Sequence, residues 1–241
     1  MVGADPVSGP GDAERTVSAP VNNLVLRVIS AVVLAPVAIY AAYLGGWPFA
    51  VFWAAAAAAV LWEWTKLVTG LIWTIAGIGY AGIMLLAPLL LRADNTYGFL
   101  ALVLLFAIVW TTDILGYFAG RAIGGPKLLP AISPKKTWSG AIAGTLGAMI
   151  VAVLVANYFG TFNTTAIAII ALLLSIMAQL GDLLESWVKR QFGAKDASHL
   201  IPGHGGVMDR LDGFWAAALV GCVIGLLHGG FGGATRGLLV W

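Results

Sequence analysis

Long apolar runs separated by short polar connections make up most of this chain after its first twenty or so residues. A bilayer core of about 30 Å requires roughly 20 apolar residues for each helical crossing. We therefore predict an all-α, polytopic helical membrane protein with about seven transmembrane helices. The predicted spans are Leu24–Tyr43, Pro48–Glu63, Leu71–Leu91, Gly98–Gly120, Trp138–Tyr158, Thr164–Gly181 and Gly213–Gly230.

Composition agrees with this pattern and adds a boundary. Hydrophobic residues make up 60% of the 241 positions and charged residues only 10%, which excludes an ordinary soluble domain. Residues 1–22 contain Pro, Gly, Ser and acids without an apolar run, and they predict a disordered cytoplasmic tail instead of a signal peptide. We expect residues 23–241 to form a single helical transmembrane domain that carries any active site. The net charge of +2 is too small to indicate nucleic acid as a partner.

Lysine and arginine are distributed unevenly between the two sides of the predicted bundle. With the amino-terminal tail inside, eleven of the 13 cations lie on the inner side, and only Arg92 and Arg236 lie on the outer side. Cytoplasmic loops carry such an excess of positive charge. We therefore expect the two long loops, Arg121–Thr137 and Ser186–Asp212, to face the cytoplasm together.

A third of the charged residues, eight of 24, lie between Glu185 and Asp212. If the sixth helix continues past Gly181, Asp182 and Glu185 share one face with Ser186, Lys189 and Arg190. Carboxylates beside cations at a membrane surface suit a divalent metal and phosphates, because the carboxylates hold the metal while metal and cations neutralise the phosphates. The best metal candidates are Asp182, at the end of a span, and Asp209, in the loop.

The same residues permit less specific interpretations. The glycines around His204, at positions 203, 205 and 206, could close their amides round an anion, but His204 could equally be an ordinary polar loop residue. Loop cations could serve only to set the topology. Asp182 and Glu185 could pair with neighbours along a solvated helix. These alternatives stay open at the level of sequence.

A second polar cluster lies in the fourth span, in the sequence TTDILGYFAGR. Asp113 is seven residues before Gly120, about 10 Å inside the membrane end, and intramembrane carboxylates are functional candidates because burying them is costly. Gly116 and Gly120 are more typical of a close helix contact than of ligand binding. The next segment, ISPKKTWSG, carries a set that fits a phosphate clamp, although two lysines beside Trp138 are also an ordinary interfacial anchor. The clamp residues are Ser133, Lys135, Lys136 and Thr137.

Taken together, these motifs resemble the phosphatidate cytidylyltransferases, also called CDP-diacylglycerol synthases. The sequence SWVKRQFGAKDASHLIPGHGGVMDRLD, Ser186 to Asp212, fits every position of that family's signature. DILGYFAGR and SPKKTW are also similar, and the resemblance extends from about Asn23 to the carboxyl end. This chain has Ser139 where the family commonly has Glu, and Ser198 where it often has Gly. The family's eight or nine spans imply that seven undercounts.

The resemblance implies that CTP and phosphatidate react to give CDP-diacylglycerol and pyrophosphate, with Mg²⁺ required, at the cytoplasmic face of a bacterial inner membrane. A second, monovalent ion and a homodimer are left open. The resemblance also implies roles for individual residues. Asp182 and Asp209 would ligate the metal, with Asp113 and Asp212 as further candidates. Phosphate-stabilising residues would be Lys189, Arg190, Lys195 and Arg210, and further substrate-binding residues would be Ser186, His204, Gly205 and Gly206.

Two other functions are compatible with these residues. One is a related cytidylyltransferase that acts on another lipid phosphate, because lipid selectivity would depend on apolar walls that no motif identifies. The other is an ion-coupled transporter with Asp113 and Asp182 as ion sites. The concentration of charge in loops disfavours the transporter.

Overall fold

The computed structural model describes residues 20–198, 200 and 205–241. Within these residues the chain forms eight helices and one β-hairpin. The helices are α1 (Pro20–Leu44), α2 (Gly46–Leu67), α3 (Leu71–Arg92), α4 (Gly98–Ile123), α5 (Trp138–Phe159), α6 (Thr164–Gln191), α7 (Met208–Gly229) and α8 (Ala234–Leu239). The hairpin strands β1 (Lys127–Leu129) and β2 (Ser133–Thr137) pair antiparallel between α4 and α5.

The helical membrane fold predicted from the sequence is confirmed. Each predicted span lies largely within one of the helices α1–α7, and in the described residues six helices, α2–α7, are long and apolar enough to cross a membrane. The apolar part of α1 among those residues is shorter, Val32–Leu44. The exact number of spans is therefore not confirmed. Helix α1 begins three residues before the predicted boundary of the tail, whose residues 1–19 are outside the described part.

Two elements were not predicted from the sequence. The hairpin occupies the loop Arg121–Thr137, and α8 is a helix of 6 residues after α7, too short to cross a bilayer. Helix α6 continues ten residues beyond the predicted end at Gly181, to Gln191. This extension confirms that Asp182, Glu185 and Lys189 belong to the same helix.

Side-chain caps and glycines fix the helix ends next to the loops. Thr137 accepts a hydrogen bond from the Gly140 amide at the start of α5, and Asn163 accepts one from the Ala166 amide at the start of α6. Helix α4 ends at Gly124, whose φ of 69° is a left-handed conformation that favours glycine. The hairpin follows after a short connection, since β1 begins at Lys127, three residues after Gly124.

Glycines let α4 and α5 pack closely. A Cβ atom at Gly144 would lie 2.5 Å from the Thr112 carbonyl oxygen, and one at Gly140 would collide with the Gly116 carbonyl oxygen. Gly120 also faces Gly140, since a Cβ atom at Gly120 would lie 3.5 Å from the Gly140 Cα. The predicted helix contact through Gly116 and Gly120 is thus confirmed.

Successive helices run in alternating directions, so the bundle has two chemically different ends. At one end, which we call the hairpin end, lie the hairpin, the carboxyl ends of α2, α4 and α6, and the first turn of α7. Contacts that join these elements include Lys136 with Asp182 and Glu63 with Met208. At the other end, the α8 end, α8 packs on the end of α3, and Thr235 Oγ1 donates to the Leu91 carbonyl at 2.8 Å.

Candidate active site

A cavity of about 810 Å³ opens at the hairpin end, between α4, the hairpin, α5, α6 and α7. This volume is large enough for a nucleotide-sized ligand, since ligand sites typically measure about 300–1,000 Å³. Acidic and basic side chains from different elements share its wall. The acids are Asp113, Asp182, Asp209 and Asp212, and the bases are Arg121, Lys127, Lys135, Lys136 and Arg210.

Three of the acids converge from three helices. Asp113 comes from α4, Asp182 from α6 and Asp212 from the first turns of α7, and the three carboxyl groups lie within electrostatic range of one another. Lys136 of β2 forms an ion pair with Asp182, and Ser186 Oγ donates to Asp182 Oδ1 at 3.3 Å. The hairpin therefore supplies positive charge to a group of carboxylates that would otherwise repel one another.

A buried ion-pair group locks α6 to α7 beside the cavity. Lys189 Nζ lies 2.5 Å from Asp209 Oδ1 and 3.0 Å from Glu185 Oε1. The side chains of Lys189 and Glu185 are only 10% and 1% exposed. Charges withdrawn from water to this degree are costly unless paired, so this group holds the first turn of α7 in one position.

The second oxygen of Asp209 ties together the two sides of the α6–α7 connection. Asp209 Oδ2 accepts hydrogen bonds from the Ala197 amide at 3.0 Å and the Gly206 amide at 2.8 Å. Gly205 has φ of 90°, and a Cβ there would lie 3.1 Å from the same oxygen. In the described part of this glycine-rich segment, small residues thus allow the backbone to turn and to approach Asp209.

Glu63, on α2, is a buried acid beside the site that the sequence reasoning missed. Its side chain is fully buried and accepts hydrogen bonds from Ser198 Oγ at 2.6 Å, the Val207 amide at 2.8 Å and the Met208 amide at 2.7 Å. The available signal was a single carboxylate between two tryptophans at the end of an alanine-rich apolar helix. Such an acid requires a partner, and here the partner is the start of α7.

Buried hydroxyl and amide groups form another site feature that the sequence did not indicate. Thr112 Oγ1 lies 2.8 Å from Ser175 Oγ, which donates to Thr145 Oγ1 at 3.1 Å. Gln179 Nε2 donates to Thr145 Oγ1 at 2.9 Å, and both Gln179 and Thr112 line the cavity. This chain of hydrogen bonds joins α4, α5 and α6 beneath the carboxylates and satisfies polar groups that would be costly to leave unpaired.

Ser139, at the position where the family that this chain resembles commonly has Glu, has a structural role. Its Oγ donates to the Gly124 carbonyl at the end of α4 and lies 3.0 Å from Thr137 Oγ1. Thr137 in turn caps α5. The two hydroxyls therefore close the base of the hairpin without an additional negative charge.

The predicted site residues fall into three groups. Those that line the cavity are Asp113, Lys135, Lys136, Thr137, Asp182, Asp209, Arg210 and Asp212. Described residues that lie near the cavity without lining it are Ser133, Ser186, Lys189, Gly205 and Gly206, and those exposed outside it are Arg190 and Lys195. His204 and Gly203 lie outside the described residues.

The predicted shared face on α6 holds only in part. Lys189 is buried beside Glu185, whereas Arg190 is exposed and donates to the Ala194 carbonyl at 3.1 Å. At about 100° per residue, Arg190 is rotated by about 80° from Asp182, while Lys189 is rotated by only about 20°. The helix geometry therefore directs Lys189 towards the site and Arg190 towards the end of its own helix.

Sequence comparison identifies the family to which this chain belongs. The sequence model of the Cytidylyltransferase family matches residues 69–227, which include every residue that lines the cavity. A phosphatidate cytidylyltransferase of Brucella abortus biovar 1 (strain 9-941) is 42% identical, over 82% of this chain and 91% of the relative. Those of Rickettsia bellii (strain RML369-C) and Rickettsia conorii (strain ATCC VR-613 / Malish 7) are 38% and 35% identical, over 79% and 83% of this chain and 86% and 90% of theirs. With its family match across most of the sequence and relatives this similar over nearly their whole length, the chain belongs to the cytidylyltransferase family.

Proposed function

We propose that this protein transfers the cytidylyl group of CTP to phosphatidate, giving CDP-diacylglycerol and pyrophosphate. The observation that carries the proposal is the cavity at the hairpin end, where Asp182 and Asp209 face a shared space with several cations. The names of the relatives support the choice of substrates.

The reaction requires two polyanions to approach each other. A phosphate oxygen of phosphatidate attacks the α-phosphorus of CTP, a new P–O bond forms, and the bond to the β-phosphate oxygen breaks as pyrophosphate leaves. Because the nucleophile is already an anion near neutral pH, alignment and charge neutralisation provide most of the catalysis. In this cavity Lys127, Lys135 and Arg210 would provide that neutralisation, and Lys136 would do so by leaving Asp182 for a phosphate oxygen.

The carboxylates fit a magnesium ion that shares its ligands with the substrates. Among the described residues no three His, Cys, Asp or Glu side chains are grouped as a complete metal cage. Mg²⁺ is usually held by one or two carboxylates together with substrate phosphates and waters, so a complete cage is not required. Asp182 and Asp209 would hold the ion, with Asp113 and Asp212 as further ligands, and the bound ion would neutralise phosphate charge.

The surface of α4 supports a route for the lipid substrate. Tyr117 lines the cavity, and its neighbours Ile114 and Phe118 are exposed apolar residues on the same helix. A phosphatidate molecule could keep its acyl chains along this face while its phosphate reaches Lys135 and Arg121. The headgroup would then meet CTP without the lipid leaving the bilayer.

The charge distribution supports a cytoplasmic active site in a bacterial inner membrane. Every lysine and arginine among the cavity residues is at the hairpin end, whereas Arg92 and Arg236 are at the α8 end. From the positive-inside rule we expect the hairpin end to face the cytoplasm, where CTP is available. Labelling of a single cysteine introduced at Trp138, from one side of sealed vesicles at a time, tests this orientation.

The decisive experiment is a substrate panel on the purified protein in nanodiscs. CTP, UTP, ATP and GTP are each combined with phosphatidate or another lipid phosphate, with and without Mg²⁺, and pyrophosphate and the liponucleotide are both measured. We expect formation of both products only from CTP, phosphatidate and Mg²⁺ together. A clear preference for another lipid phosphate would replace phosphatidate as the substrate, and failure to form any liponucleotide would overturn the proposal.

A further inference from the structure

Helix α2 reaches the site through one buried carboxylate. Glu63 lies outside the residues 69–227 that match the family model, and it does not line the cavity. We propose that Glu63 is a positioning residue for catalysis: it fixes the start of α7, and thereby Asp209, Arg210 and Asp212, in the geometry that the substrates require. The inference rests on the proposed function.

The contacts of Glu63 are directed at both sides of the α6–α7 connection. Its Oε1 accepts from Ser198 Oγ, before the connection turns, and from the Val207 amide, after it. Its Oε2 accepts from the Met208 amide, the first residue of α7. The carboxylate therefore joins two backbone segments to a third helix, and it does so at the positive end of the α7 dipole.

Asp209 completes the same arrangement from the opposite side. It accepts from the amides of Ala197 and Gly206, the immediate neighbours of the residues that Glu63 holds. Two carboxylates thus hold residues 197 and 198 against residues 206–208. Since Asp209 must also serve the cavity, Glu63 is the carboxylate of the pair that acts only in positioning.

Gly206 shows how closely the two parts fit. A Cβ at Gly206 would lie 2.8 Å from Glu63 Oε1 and 2.9 Å from Oε2, so any larger residue would push the carboxylate away from the α7 amides. The side chain of Glu63 is 0% exposed, and water cannot substitute for a lost contact without repacking. A small displacement of α7 would move Asp209 and Arg210 together, and misplacement by about 1 Å can lower a rate by about 10²-fold.

The test compares Glu63→Gln with the wild type and with a matched control, Thr65→Ala, in full-length protein in nanodiscs. The side-chain amide that Glu63→Gln introduces turns a donor towards backbone N–H groups and so breaks at least one contact while preserving volume. Thr65 is exposed in the same turn of α2. Hydrogen exchange of peptides covering residues 205–212 is measured together with kcat and the KM for CTP.

We expect Glu63→Gln to increase exchange at Val207 and Met208 and to lower kcat at least about tenfold, with a KM change of less than about threefold. Peptides from α4 and α5 should exchange as in the wild type, and Thr65→Ala should match the wild type throughout. Wild-type exchange at Val207 and Met208 would overturn the inference. So would a uniform rise in exchange over the whole protein with an unchanged kcat per folded molecule, because that outcome assigns Glu63 to general stability.

A double-mutant comparison separates this inference from the proposed function. Ser198→Ala should raise exchange at residues 205–212 in the wild-type background and have a smaller effect in the Glu63→Gln background, because Glu63→Gln has already loosened the start of α7 that this contact supports. Independent, additive effects would overturn the coupling between the two residues. Exchange does not depend on turnover, so a wild-type protein that forms no liponucleotide refutes the function and leaves the exchange result to decide the role of Glu63.

Discussion

The hairpin end and the α8 end of this bundle use charge in opposite ways. At the α8 end Arg92 donates to the carbonyls of Ala42 and Tyr43 at the end of α1, and Arg236 pairs with Asp94 at 2.7 Å. Each of these charges ties one helix end to another. At the hairpin end Asp113, Asp182 and Asp212 converge on one cavity. Nearby cations offset only part of the repulsion among these three carboxylates.

This difference separates charges that stabilise the fold from charges that are kept close together at the expense of stability. Paired charges at a helix end stabilise the fold, whereas converging carboxylates repel one another until a cation neutralises part of their charge. Asp209 and Asp182 show both uses at the hairpin end itself. Asp209 is committed to Lys189 and to two backbone amides, while Asp182 is partly exposed and contacts Lys136 and Ser186.

The largest expected effect is that of Asp209→Asn, because this carboxylate serves both uses. We expect turnover to fall by at least about 10²-fold, since under the proposed function a carboxylate that would hold the metal ion is lost. The melting temperature should fall by roughly 5–10 °C, because Lys189 loses one of its two buried partners. Activity assays and thermal unfolding in the same detergent measure both effects. Near-normal turnover would contradict the assignment of Asp209 to the site.

Asp182→Asn should separate the two uses. We expect a similar loss of turnover, of at least about 10²-fold, with a melting temperature equal to or above that of the wild type. The asparagine can still accept a hydrogen bond from Ser186, and the repulsion with Asp113 is removed. Unfolding scans with and without CTP and Mg²⁺ provide a further measurement, since ligand stabilisation should disappear in the variant. A large loss of stability without ligand would show that Asp182 is a structural residue.

The sequence predicted the helices well because their signal is local. Each apolar run is long enough to identify a helix, and α1–α7 all lie where a run indicated them. The hairpin was missed because β1 and β2 are short strands in a segment rich in Pro and Gly, and their pairing is not encoded in either strand alone. The sequence did not determine where α6 ends for a similar reason, since the last turns of this helix are polar and are held by contacts with α7.

The convergence of the four aspartates on one cavity was also predictable, whereas the different contacts that each of them makes were not. Asp113, Asp182, Asp209 and Asp212 all line the cavity, as their position near a membrane edge suggested. Glu63 contacts residues that lie 135 to 145 positions later in the sequence, and no local sequence pattern indicates contacts over such a separation. The exposed positions of Arg190 and Lys195 likewise depend on the rotation of α6 and the path of the loop, so their predicted role in phosphate binding stays a prediction.

Gly144→Ala tests whether the hairpin end depends on the close packing of α4 and α5. The added methyl group would lie 2.5 Å from the Thr112 carbonyl, and backbone atoms would have to move. We expect a loss of about 1–3 kcal/mol, seen as a lower melting temperature, together with a smaller loss of turnover because Asp113 and Gly116 shift with α4. Gly79→Ala on α3 is the matched control, since among the described residues none outside its own turns of α3 lies within 4 Å of its Cβ position. Equal melting temperatures for the two variants would show that the α4–α5 contact can relax at no cost.

The smallest expected effect is at the α8 end, where Asp94→Asn should change stability and leave turnover unchanged within about twofold. The Arg236 guanidinium, which donates to Asp94, lowers the pKa of this carboxyl below its usual value, and the amides of Tyr97 and Thr96 act in the same direction. A lowered folded-state pKa gives stability that is present above the ordinary pKa of aspartate, about 3.9, and is lost as the pH falls through the lowered value. Because Arg236 is largely exposed, solvent screens this ion pair, and we expect only a small decrease in the free energy of unfolding at pH 7. Thermal unfolding of both proteins from pH 7 to pH 3 should therefore show a small difference that shrinks on acidification and in high salt. A difference that persists at pH 3 would show that the hydrogen-bond geometry of Asp94, and not its charge, ties α3 and α8 together.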